Sequence, residues 1–275
     1  MDNFMNMTKD AGHTPELQRL TDLHAVFHDA LNGKLILAPL NLEEPGKRIL
    51  EAGTADGLWL RNVRSSLPSA ASHQYFGSDI EAELFPAQPD GITYFQRSFN
   101  DPWPVNLKNT MDLVHLRGSL AGSSPNRPHD VIENLTTLVR PGGWVQLQEM
   151  NAFSTPENGP AMTDFARMVR EAWTGIKVGD FANELKDMLE QAGLQNVQER
   201  RVLIEIGKTA KPEMRASSVN GVTSPIKPLS SIAKTVPSSF TEDQLDNMQA
   251  RVREELENEG GKIEIIIAYG QRAQG

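Results

Sequence analysis

The chain has no cysteine. That excludes disulfide staples, thiolate zinc sites and a cysteine nucleophile, and it fits an intracellular, cytoplasmic protein. Positive charge is also scarce: 27 Lys and Arg stand against 36 Asp and Glu, a formal net charge of −9. Basic residues come no denser than a pair such as Arg200-Arg201. Affinity for nucleic-acid phosphates rests on clustered cations, so no nucleic-acid partner is expected. An acidic surface also disfavours anionic membranes. No apolar run reaches the ~18 residues of a transmembrane helix. The N-terminal Met1-Asp-Asn-Phe-Met-Asn-Met-Thr8 has no basic region leading into an apolar stretch, so no secretory signal is expected. No Gly-x-Ser-x-Gly sets a serine nucleophile on an elbow, and no Gly-x-x-x-x-Gly-Lys-Ser/Thr cradles phosphates. His24 and His28 stand four apart without a third ligand, so no metal is expected.

What remains is a chain of 275 residues, 39% hydrophobic and 23% charged, as in an ordinary globular protein. Its length supports one large core, or one domain with an appended subdomain. Residues 1–15 read as a loose lead-in closed by Thr14-Pro15. A helix then starts near Glu16, with Leu17, Leu20, Leu23, His24, Phe27 and Leu31 at three- and four-residue spacing, and Asn32-Gly33 stops it. A strand–helix alternation follows. Strands are expected at Arg48–Ala52, His73–Ser78, Ile92–Gln96, Met111–Leu116 and Trp144–Glu149, and helices at Leu58–Leu67 and His129–Val139. Arg140-Pro-Gly-Gly143 reads as a turn ahead of the fifth strand. Further helices are expected at Ala161–Trp173 and Asp180–Ala192, then a strand at Val197–Ile206. The stretch 208–239, rich in Ser, Pro, Thr and Lys, has no sustained period and reads as a long loop or mobile flap. Thr241 caps a helix running to Glu259, and Lys262–Tyr269 forms a buried last strand. Such alternation means a parallel α/β sheet with ligands at the carboxyl ends of its strands.

The segment Arg48-Ile-Leu-Glu-Ala-Gly-Thr-Ala-Asp-Gly57 carries the most specific chemistry. It reads as strand, tight turn and helix, with small residues at Gly53, Ala55 and Gly57 that let the backbone approach a bulky ligand. The acid Glu51 suits a cationic amine better than a phosphate. Asp79, at the end of the next strand, can accept both hydroxyls of a ribose or simply cap the following segment. After the third strand, Ser98 or Asp101 can bond a base edge and Phe99 can pack on its face; ordinary loop chemistry explains them equally well. His115 and Arg117 share one face of the fourth strand. They can position a substrate oxygen and accept a proton. Alternatively, His115 bonds to backbone and Arg117 pairs with Glu149. Glu149 and Asn151, two apart at the end of the fifth strand, line a pocket or cap its edge. On the first helix, a pocket-facing His24 is the more natural reading than a ligand.

Taken together, these blocks resemble fungal LaeA-like class I S-adenosylmethionine (SAM) methyltransferases of secondary metabolism. The resemblance runs in order through Leu17–His24, Gly33–Pro39, Arg48–Trp59, Asp112–Arg117, Arg140–Glu149, Asp180-Phe181, Leu189–Leu194 and Ile267–Gln271. It implies a Rossmann-like seven-stranded sheet whose seventh strand is antiparallel and sits beside the fifth. Residues 1–45 would supply a lead-in and lid helix. Residues 46–275 would form the SAM-binding domain, with 208–260 folding over the substrate. Glu51, Gly53, Ala55 and Gly57 would border the methionine part of SAM, Asp79 the ribose, and Ser98 and Phe99 the adenine. His115, Leu116 and Arg117 would lie beside the cofactor, with His115 and Arg117 catalytic. Leu20, His24, Phe27, Glu149 and Asn151 would face the substrate. The chain departs from the pattern at Ala55, where a glycine is usual, and at Ser98, where an acid is common.

The expected activity is transfer of a methyl group from SAM to a nitrogen or oxygen of a small natural product, releasing S-adenosylhomocysteine. Amide N-methylation of a diketopiperazine, as in epidithiodiketopiperazine pathways, is one candidate. Two other readings stand beside it: a SAM-binding regulatory protein acting through a partner, and a catalyst of pericyclic or dehydrating steps that uses the sulfonium as a fixed charge. Expected partners are a small-molecule substrate and, in a homodimer, a second copy of the chain.

Overall fold

The computed structural model describes residues 13–68, 70–123 and 126–274. Helix α1 (His13–Ala30) begins slightly before Glu16; residues 1–12 of the expected lead-in lie outside the described residues. The alternating part comprises β1 (Arg48–Ala52), α2 (Leu58–Ser66), β2 (Gln74–Asp79), β3 (Ile92–Gln96), β4 (Met111–Arg117), α3 (Pro128–Thr136) and β5 (Val139–Met150). Then come α4 (Pro160–Gly175), α5 (Leu185–Gln191), β6 (Leu194–Ile206), α6 (Arg215–Thr223), α7 (Ile226–Ala233), α8 (Glu242–Asp246), α9 (Met248–Asn258) and β7 (Gly261–Arg272).

The seven strands form one sheet in the order β3-β2-β1-β4-β5-β7-β6. The first five pair in parallel. β7 runs against β5: the Asn151 N–H donates to Glu264 O at one end, and the Arg272 guanidinium donates to Val139 O at the other. Inner strands of a parallel sheet are covered on both faces. That is why β4 carries the nearly unbroken buried run Met111–Leu116. Strand order reverses between β1 and β4, which opens a crevice at their carboxyl ends.

The chain forms two compact units. The first comprises residues 34–149, 184–200 and 266–274; its core gathers Ile49, Trp59, Leu60, Val63, Tyr75, Leu113 and Trp144. The second comprises 13–33, 150–183 and 201–265 and is mainly helical. There α1 packs on α6, where Gly221 meets Leu23, and α4 packs on α7 and α9. Glu255 of α9 accepts the Ala161 and Met162 N–H groups, closing the first turn of α4.

Several expectations need correction. The 208–239 segment is not a loop: α6 and α7 occupy most of it. Its apolar residues Val219, Val222, Ile226 and Ala233 keep helical spacing, and all are buried. Serine and threonine masked that period, yet here they are interior residues with hydrogen-bond partners. Thr223 Oγ1 donates to Val219 O, Ser218 Oγ to Arg215 O, and Ser230 Oγ to Met168 Sδ. Arg140-Pro-Gly-Gly143 is not a turn before the strand but a bulge inside β5. Met111 pairs with Val139 and Leu113 with Trp144, so the extra residues loop out of the ladder. The expected helix 180–192 shortens to α5. The last long helix breaks at Asn247, although Thr241 caps α8 as expected, with Gln244 completing a capping box.

Candidate active site

The turn between β1 and α2 is built on left-handed backbone: φ is +68° at Gly53, +48° at Ala55 and +75° at Gly57. A Cβ on Gly57 would fall 2.0 Å from the Tyr94 hydroxyl, so this glycine is required by both conformation and space. At Gly53 a Cβ would come 2.9 Å from Ser119 Oγ, so its absence admits the turn that follows β4. Ala55 takes the left-handed conformation despite its side chain, at a cost of roughly 1–2 kcal/mol. What holds it there is Asp79, whose Oδ2 accepts the Ala55 N–H at 2.8 Å while Oδ1 accepts the Glu81 N–H at 3.0 Å. Replacing Ala55 by glycine is therefore expected to raise stability by about 1 kcal/mol and leave SAM binding intact. Thermal melts with and without SAM check this.

Strand register lays a row across the sheet: Tyr94, Gly77, Glu51, His115 and Gln146 are successive neighbours on β3, β2, β1, β4 and β5. Glu51 is buried, and its Oε2 accepts the Thr54 hydroxyl at 2.6 Å. Burial lifts its pKa to about 8, against the opposing charge of Arg117 and the Thr54 bond. Gln146 pins the segment before β1: its amide donates to Leu35 O and accepts the Leu37 and Ala38 N–H groups.

His115 is enclosed by its neighbours. It is fully buried, its ring stacks on Trp59 at 4.0 Å between centroids, and Nδ1 lies 3.1 Å from Gln146 O. The backbone-bonded alternative describes it better than an exposed proton acceptor. Arg117, two residues on, remains half-buried at the strand end. Its charge partner is Glu51 rather than Glu149. Leu116 is buried on the opposite face.

Glu149 is buried and accepts the Ser119 and Leu120 N–H groups at 2.9 and 3.0 Å. Burial raises its pKa to about 7, with those two bonds opposing. Both bonds fall on Oε1, which fixes the turn after β4. Asn151 is likewise occupied. Its Nδ2 donates to Asn183 Oδ1 and Glu264 Oε2, and its Oδ1 accepts the Phe153 and Ser154 N–H groups, so it acts as a structural anchor. In the loop after β3, Ser98 Oγ accepts the Asn100 N–H and Asn134 Nδ2 donates to Phe99 O, leaving both Ser98 and Phe99 half-buried. On α1, His24 and Phe27 are buried and Leu20 half-buried.

Sequence reasoning missed two residues. Ile80, directly after Asp79, is 43% exposed, an apolar surface at the strand end where a base can stack. Gln148 is buried in register with Arg117. Each had a signal: an apolar residue following a strand-end acid, and a polar one inside an apolar strand. Among the described residues, His129, Asp130 and Glu133 lie close enough together to hold a cation, but all are partly exposed and Arg127 pairs with Asp130.

Residues 23–199 match the family described as methyltransferase domain. The chain is 64% identical to methyltransferase psoC of Aspergillus fumigatus, over 99% of this chain and all of that one. It is 31% identical to N-methyltransferase tcpN of Claviceps purpurea, over 99% of each. Among solved structures it resembles Haemonchus contortus phosphoethanolamine N-methyltransferase 2 in complex with SAM. The TM-score is 0.52 at 12% identity, over 92% of this chain and 52% of that one, a likeness of fold alone. No helix of the described residues is long and apolar enough to cross a membrane.

Proposed function

The chain belongs to the methyltransferase domain family, and on that premise we propose that it moves a methyl group from SAM to a nitrogen or oxygen of a small fungal natural product. The observation that carries this reading is the left-handed Gly53–Gly57 turn with Asp79 locked beneath it at the sheet's switch point. The residues fit the cofactor. Glu51 is an acid in a buried position that a cationic amine relieves, Asp79 keeps lone pairs for ribose hydroxyls, and Ile80 offers a face for adenine. When bound, SAM supplies an electrophilic methyl group on a sulfonium. The chain's own work is to hold the acceptor in line with that group and exclude water.

Nitrogen is favoured as the acceptor atom because the relative tcpN is named an N-methyltransferase, and a diketopiperazine amide is one candidate. Leu20, His24 and Phe27 are carried as acceptor-binding residues on the family resemblance. The direct test incubates the protein with SAM and a panel of amides, phenols and carboxylic acids, and follows S-adenosylhomocysteine and product mass. SAM binding without turnover on any of them would favour a regulatory role.

A proton, where the acceptor must lose one, is proposed to leave by a group other than His115. His115→Gln is therefore expected to keep the shape of the pH–rate profile while lowering stability by about 1–2 kcal/mol through the lost stacking on Trp59. Disappearance of one limb of that profile would return His115 to the role of base.

A further inference from the structure

Gln148 is polar, 3% exposed, and its Nε2 has no hydrogen-bond partner among the described residues. Gln146, two residues earlier on the same face of β5, makes the contrast, since its amide is saturated by the 35–38 segment. One strand thus carries the same side chain twice, once with full satisfaction and once without. Folding alone would favour methionine at 148, because a buried donor without a partner is penalised against an apolar side chain of similar shape. The position is also suggestive. The Gln148 carbonyl accepts the Gly118 N–H, and its register partner is Arg117, so the amide lies at the carboxyl end of the β4–β5 pair, where open α/β sheets bind ligands.

We propose that Gln148 recognises the methyl acceptor through a cis amide, Nε2–H donating to a lactam carbonyl and Oε1 accepting the neighbouring lactam N–H. A primary amide presents a donor and an acceptor side by side. A secondary amide held cis in a small ring presents the complementary pair on one edge. A phenolate or carboxylate offers only acceptors, and a guanidinium suits it better. A buried neutral pair also discriminates against an anion, which would be desolvated there. Gln148 is thus a positioning residue: it fixes one edge of the acceptor so that another atom faces the methyl group, and no proton passes through it. This rests on reading the chain as a small-molecule methyltransferase.

The test titrates the full chain, saturated with S-adenosylhomocysteine, with cyclo(Gly-L-Phe) and with its N,N′-dimethyl form, for wild type and Gln148→Met. Wild type is expected to bind the N–H ring, and Gln148→Met to weaken that binding by about tenfold or more. Dimethylating the ring should weaken binding to wild type similarly and change binding to the variant little, the signature of a direct pair. The variant should keep its S-adenosylhomocysteine affinity and melt at the same temperature or higher. The proposal is overturned if wild type does not bind the ring, if the variant binds it equally well, or if the variant melts several degrees lower, which would make the amide structural. Failure of wild type to bind S-adenosylhomocysteine at all would instead overturn the methyltransferase reading beneath it.

Discussion

Asp79→Ala is expected to weaken SAM binding by about a hundredfold or more, the largest single effect in the candidate site. Two losses combine. The carboxylate organises the turn by accepting the Ala55 and Glu81 N–H groups. In the proposed complex its remaining lone pairs take the ribose hydroxyls. Hydrogen bonds to a charged group contribute roughly 1.5–3 kcal/mol each, and two of them reach a hundredfold at the low end. Ala55 loses the carboxylate that accepts its N–H and is left with the Gly57-to-Thr54 backbone bond to hold its left-handed conformation. The protein should still fold, because Asp79 is only partly buried and lies at a strand end. Asp79→Asn should fall between, keeping one acceptor oxygen. Calorimetric titration with SAM, alongside a thermal melt, checks both. Unchanged SAM affinity in Asp79→Ala would remove Asp79 from the cofactor site.

SAM affinity is expected to rise with pH from 6 to 8, by up to about a hundredfold. In the free protein Glu51 has a pKa of about 8, so at neutral pH it is mostly protonated. A ligand cation beside it favours the carboxylate, so binding expels a proton and the affinity gains up to tenfold per pH unit below 8. Above 8 the gain stops. The α-amino group of the ligand then begins to lose its own charge, at roughly pH 8, so affinity should peak there. The stability of the free protein runs the other way. A carboxyl whose folded pKa is raised stabilises the fold below its ordinary value near 4.5 and loses that contribution as pH climbs to about 8. Glu51→Gln should flatten the binding profile and remove the proton release, which titrations in two buffers of different ionisation enthalpy would detect. A pH-independent wild-type affinity would rule out contact between Glu51 and the ligand cation.

Much of the fold was legible because its signals are local. The turn at 53–57 needs small residues, and its flanks Ile49-Leu50 and Leu58-Trp59-Leu60 are apolar runs that only a buried strand and helix accommodate. Strands β1 to β4 lie within a residue of their expected ends. Where reading failed, composition hid geometry. Ser218, Thr223 and Ser230 made 208–239 look like a loop, whereas each hydroxyl finds a partner inside the helical unit. Pro141, Gly142 and Gly143 looked like a strand terminator, whereas β5 absorbs them in a bulge.

The site divides the same way. Residue order alone determined the α/β alternation and the face shared by His115 and Arg117, since period and spacing are properties of the chain itself, while the cofactor class came from the family resemblance. Depth is not such a property. Only tertiary structure decided that Trp59 covers His115, that Glu149 Oε1 and Asn151 Oδ1 accept backbone N–H groups, and that Gln148 differs from Gln146. Burial and hydrogen-bond satisfaction are set by segments distant in sequence, such as residues 35–38 against Gln146, and no local pattern encodes which of two glutamines on one strand they will reach.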